Sequence, residues 1–110
     1  MFPPELPASD ASAVPAEARI IDVREPDEWD AGHIEGATHI PLADLPGRLD
    51  ELPAGETLYV VCRVGGRSAR AVAWLTHNGY DAVNVNGGMD AWVSAGRPMV
   101  SETGESPAVL

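Results

Sequence analysis

Residues 58–79 read LYVVCRVGGRSARAVAWLTHNG, and this stretch decides the fold. Leu58 to Val61 is the clearest strand in the chain. Ser68 to His77 reads as its best helix, closed by Asn78-Gly79. The same alternation recurs on either side. Ile20-Ile21-Asp22-Val23 is a short β-branched run of buried-strand type. Pro26 precedes a short helix, Asp27 to Ala31, with acids in its first turn and Gly32 closing it. Thr38 to Ile40 is a short strand stopped by Pro41. Leu42, Leu45, Leu49 and Leu52 follow at helical spacing, limited by Pro46 and Gly47. Ala82 to Val85 predicts a further strand, Gly87-Gly88 a turn, and Met89 to Ser94 a last helix. Strands alternating with helices predict an α/β fold, with a small, mostly parallel central sheet flanked by helices on both faces. In such sheets ligands sit at the carboxyl ends of the strands. That rule points at Cys62.

The chain has 110 residues, enough for one domain. Hydrophobic residues make up 45%, so a core can form. Residues 1–18 and 98–110 are rich in Pro, Ala, Ser and Glu. The folded unit is therefore expected over residues 19–97, with a short strand near Leu6 docked onto it and a flexible tail beyond Pro98. The net charge is −10, and all seven bases are Arg. Such a surface argues against nucleic-acid and anionic-membrane partners. No run approaches the ~18 apolar residues of a membrane span. No basic-then-apolar leader opens the sequence, so a cytoplasmic location is expected. The single cysteine excludes an internal disulfide. Nothing has the spacing of a metal site, and no encoded contact argues against a monomer.

Residues 62–68, Cys-Arg-Val-Gly-Gly-Arg-Ser, join the central strand to its helix. Gly65 and Gly66 are expected to take positive φ and curl the loop. A curled loop entering a helix aims several N–H groups at one spot, where the helix dipole adds about half a positive charge. A thiol placed there has its pKa drawn below ~8.5, because the thiolate is the stabilised form. No acid occurs between Glu56 and Asp81, whereas Arg63, Arg67 and Arg70 all do. The only cysteine of an acidic protein thus sits in a basic island suited to a nucleophile for anionic substrates. A lone cysteine at a strand end is otherwise most often a small buried hydrophobe. The glycines, the arginines and the strand-to-helix context favour function here.

The sequence resembles the rhodanese family of sulfurtransferases over roughly residues 19–97, and three segments carry the resemblance. Ile21-Asp22-Val23-Arg24-Glu25, running through Glu28-Trp29 to Gly32-His33-Ile34-Glu35-Gly36-Ala37, looks like the family's N-terminal signature. Cys62 to Ser68 is similar to the active-site loop of single-domain members. Asn86-Gly87-Gly88-Met89-Asp90-Ala91-Trp92 is similar to the Gly-Gly segment near the family's C-terminus. The resemblance implies a sulfurtransferase that takes sulfane sulfur from thiosulfate or a related small anionic donor onto Cys62 as a persulfide. Sulfur then passes to cyanide, a small thiol or a protein acceptor. The N–H groups of residues 63–67 hold the persulfide, and no cofactor or metal is implied. Related phosphatases of this fold use a loop one residue longer. Cys62 to Arg67 counts six residues, the sulfurtransferase length. The alternative is a non-enzymatic rhodanese-fold module for binding or redox sensing; partner binding by such a module would survive the loss of Cys62.

The remaining candidates divide by chemistry. The Arg67 guanidinium is suited to bracing the loop against carbonyls or an acid. Arg63 either attracts the anionic donor or points into solvent, while Val64 and Gly66 offer few atoms for choosing a substrate. Ser68 is expected to cap the helix through its hydroxyl. Asp22 and Arg24, two apart on a strand, share a face and are expected to orient neighbouring loops. Trp29 and Trp92 are expected at the core's edges. His33 belongs to the structural signature rather than the chemistry, since a preformed thiolate needs no base.

Overall fold

The computed structural model describes residues 6–110. Five strands form one sheet: β1 (Ala8–Asp10), β2 (Arg19–Asp22), β3 (Thr38–His39), β4 (Thr57–Val61) and β5 (Asp81–Asn86). Their order is β1-β5-β4-β2-β3, and every pairing is parallel. Three α-helices accompany them: α1 (Pro26–Ala31), α2 (Gly66–His77) and α3 (Gly88–Ser94). The expected α/β architecture is therefore observed, with β4 at the centre and the Cys62 loop leaving its carboxyl end.

Alternation along the strands builds a core on each face. Leu58, Val60 and Cys62 face α2, with Ile21, Val23, Ala71, Val72 and Leu75. Ile20, Val61 and Val85 face the other way, toward Val14, Ile34, Met89 and Trp92. Each such aliphatic side chain, fully buried, contributes roughly 1.5–3 kcal/mol. Cys62 thus continues the inward face of β4, and its sulfur is placed by the strand before the loop begins.

The structure corrects the sequence reading in places. Leu42–Glu51 is not an α-helix but a 3-10 segment broken at Arg48, where φ is −126°. Pro46 cannot donate a backbone hydrogen bond, so an α-helical turn cannot run through it. The sheet begins at Ala8, because the Pro7 carbonyl and β1 pair with β5. Leu6 itself is half-buried against the α2-side core. Residues beyond Pro98 lie along α1: Val100 exchanges both backbone hydrogen bonds with His33, and the Ala108 N–H donates to the Ala31 carbonyl at 2.9 Å.

α1 is short and heavily secured. Pro26 opens it, and Glu25 and Glu28 form a reciprocal capping box. Behind it, Arg24 and Asp22 form an ion pair at 2.7 Å with both side chains wholly buried. Arg24 also donates to the Glu28 carbonyl (3.3 Å) and the Gly32 carbonyl (2.7 Å). Arg24 therefore links the middle and the carboxyl end of α1 to the end of β2.

Candidate active site

The loop from Cys62 to Ser68 wraps around the Cys62 sulfur. Gly65, at φ +114°, turns the chain, and its N–H donates to the sulfur at 3.1 Å. Gly66 has no positive φ and opens α2, so one glycine rather than two makes the turn. The Ser68 hydroxyl lies 3.3 Å from the sulfur, 3.2 Å from the Gly65 carbonyl and 2.5 Å from Asn84 Oδ1. It caps no helix N–H, contrary to expectation. Its single hydrogen has three acceptors in reach. When Cys62 ionises, the negative sulfur is the strongest of them and draws that hydrogen.

Two effects oppose each other at Cys62. Burial pushes its thiol pKa up and is the largest single influence. Hydrogen bonds from the Ser68 hydroxyl and from the backbone N–H groups of Ser68, Gly65 and Val64 together outweigh it, so the net shift is downward. The thiolate is thus favoured chiefly by oriented dipoles, and the Arg67 charge acts on it as well.

The loop is fixed from two sides. On one, Arg67 reaches α1 and grips Glu28 with two contacts, 2.6 and 2.9 Å. This pair holds Glu28 down to about 2, mainly through the Arg67 hydrogen bond, and raises Arg67. On the other, the N–H groups of Met89 and Asp90 donate to the Cys62 and Arg63 carbonyls at 2.8 and 3.1 Å. Gly88 permits that approach: a Cβ there would stand 2.6 Å from the Arg63 carbonyl oxygen and closer still to that of Cys62.

A family model for the rhodanese-like domain matches residues 8–95. The chain belongs to the rhodanese-like domain family. Among its relatives, a sulfurtransferase of Allochromatium vinosum is 37% identical over 86 residues, covering 77% of this chain and 80% of that one. YqhL of Bacillus subtilis is 42% identical over 76 residues, 68% of this chain; the matched region spans 60% of YqhL. A rhodanese-related protein of Thermoplasma volcanium superposes with a TM-score of 0.81 at 32% identity, covering 86% of this chain and 97% of that chain.

In this rhodanese-like domain the sequence candidates do not all converge. Cys62, Gly65, Arg67 and Ser68 form the cradle. Val64 is 60% exposed at the loop tip. Arg63 points outward, half-exposed, with its Nε 3.9 Å from Asp90. The basic island is therefore partly neutralised by acids from α1 and α3, elements far away in sequence. His33 is buried elsewhere, its Nδ1 2.8 Å from the Trp29 carbonyl and its ring stacked on Trp29. Trp92 is buried and donates to the Pro98 carbonyl. Two residues complete the site from outside the loop, Glu28 and Asn84. In the sequence Glu28 looks like any acid in a first helical turn. Asn84 carried a signal: it is an amide between two valines of a buried strand, which must find a polar partner. Among the described residues no three His, Cys, Asp or Glu side chains group as metal ligands, and no helix is long and apolar enough to cross a membrane.

Proposed function

We propose that this protein is a sulfurtransferase in which Cys62 carries sulfur as a persulfide, with thiosulfate or a related small anionic sulfane compound as donor. The Cys62 thiolate attacks the outer sulfur of thiosulfate. A new S–S bond forms as the old one breaks, and sulfite leaves with the bonding electron pair. The terminal persulfide sulfur is anionic and stays within the ring of loop N–H groups. A cyanide ion or a thiolate then attacks that terminal sulfur. The electron pair of the Cys62 S–S bond returns to Cys62, giving thiocyanate or the acceptor's persulfide. No general base enters either step, because the nucleophile is already a thiolate. The observation that carries this reading is the buried Cys62 sulfur within hydrogen-bond reach of Gly65 N–H and the Ser68 hydroxyl.

The name of the Allochromatium vinosum relative, a sulfurtransferase, points the same way, and the six-residue loop suits a single sulfur atom better than a phosphate group. The domain would act as a monomer in a reducing compartment, where its one thiol stays free. The test is a cyanide-dependent assay with thiosulfate as donor. Thiocyanate should form with wild-type protein and not with Cys62→Ser. Thiocyanate formation equal in both would end the proposal, as would none from wild type with thiosulfate or any other sulfane donor.

A further inference from the structure

Two clefts stand out among the described residues. The larger, about 450 Å³, lies by the amino ends of β2 and β3. It contains Glu17 and Glu35, and its Arg97 is already committed to the Ala11 and Val14 carbonyls at 2.9 and 2.6 Å. The smaller, about 290 Å³, is lined by Leu42, Leu45, Pro46, Arg70, Ala71 and Trp74. It has an apolar wall, one cation and no carboxylate.

The smaller cleft lies against α2, the helix the Cys62 loop leads into: its Leu45 and Ala71 share one core with Cys62, and its Leu42 and Trp74 pack against that core. Arg70 lies four residues into α2, about 6 Å along its axis from Gly66, where the loop ends. The Leu42 N–H donates to the Val23 carbonyl at 3.0 Å, and the Val23 N–H donates to the Val61 carbonyl at 3.1 Å. Two backbone bonds thus link the cleft wall to the strand end that bears Cys62.

Arg70 differs from the other six arginines. Arg19, Arg24, Arg48, Arg63 and Arg67 each face a carboxylate, and Arg97 holds two carbonyls. Among the described residues Arg70 alone has no such partner. In a chain of net charge −10, a guanidinium without an acid beside an apolar cleft is complementary to an anion with an apolar arm.

We propose that the Arg70–Trp74 cleft binds the sulfur acceptor, a small organic thiol bearing a carboxylate. Arg70 takes the carboxylate, Trp74 and Leu42 cover the carbon chain, and the thiolate reaches the terminal sulfur of the Cys62 persulfide. Its attack forms the acceptor's S–S bond and returns the electron pair to Cys62. The acceptor's role rests on the sulfur-transfer reading; the binding site does not.

Two measurements separate them. In the first, thiosulfate-loaded full-length protein is reacted with 3-mercaptopropionate and with 3-mercapto-1-propanol, which share a carbon chain. Arg70→Gln should slow transfer to the carboxylate about tenfold while transfer to the alcohol stays within about twofold. Equal slowing of both, or of neither, overturns the proposal. In the second, the unreactive 3-(methylthio)propionate is titrated while the Trp74 indole N–H is followed by NMR. A saturable shift in wild type that Arg70→Gln abolishes supports the site even if no persulfide ever forms. An unmoved Trp74 signal, or an equal shift in Arg70→Gln, refutes it.

Discussion

Two acid–arginine pairs meet on α1, and they differ in everything but chemistry. Asp22–Arg24 lies behind the helix with neither side chain accessible to water. Glu28–Arg67 lies in front of it, with Arg67 33% and Glu28 12% exposed. The first joins residues two apart and holds the Glu28 and Gly32 carbonyls. The second joins residues 39 apart and holds the Cys62 loop. Burial decides what each can do. A wholly buried pair whose partner is lost leaves an uncompensated charge, so it governs folding. A partly exposed pair is worth less to stability, yet it fixes where a loop sits.

Breaking the buried pair should have the largest effect. Asp22→Ala strands Arg24 in the core and is expected to cost about 3–5 kcal/mol in denaturant unfolding. A cost near zero would mean that the pair does not tie α1 to the sheet. Glu28→Gln should do the reverse. Stability should fall by about 1–3 kcal/mol at neutral pH, less than for Asp22→Ala, while sulfur transfer drops by about tenfold to hundredfold as the loop loses its brace. The pH dependence sharpens this contrast. Glu28 is lowered from 4.5 to about 2, so its contribution is complete above 4.5 and disappears as pH falls toward 2. The stability difference between wild type and Glu28→Gln should therefore close over that interval. A constant difference would locate the effect elsewhere. The smallest change belongs to Ser68→Ala, which removes one of several donors to the sulfur. Alkylation of Cys62 by iodoacetamide should then require higher pH, because the thiol pKa rises toward its ordinary value.

The contrast also marks what can be read from the sequence. β4, the loop and α2 are contiguous, and local propensity together with the glycine position sufficed to place Cys62 at a strand's carboxyl end. Asp22 and Arg24 were legible for the same reason, being two residues apart. The Glu28–Arg67 and Arg63–Asp90 contacts were not, because they join separate elements. A charge count over residues 57–80 sees three arginines and no acid, while the folded molecule brings Glu28 and Asp90 to two of them. Ser68 looked like a helix cap because Ser is a common one. Asn84 and the buried sulfur compete for its hydroxyl, and neither is visible from its neighbours in sequence. The run beyond Pro98 has a disordered composition, yet its backbone bonds to His33, Asp30 and Ala31. Composition does not register contacts that the rest of the fold supplies.

The central claim is that Cys62 holds a sulfur atom, and intact mass tests it most directly. Reduced wild-type protein and Cys62→Ser are incubated with thiosulfate and weighed. Wild type should gain the mass of one sulfur atom, removable by cyanide, and Cys62→Ser should gain nothing. A wild-type protein that stays at its starting mass with thiosulfate and with other sulfane donors, its thiol free and titratable, would contradict the account.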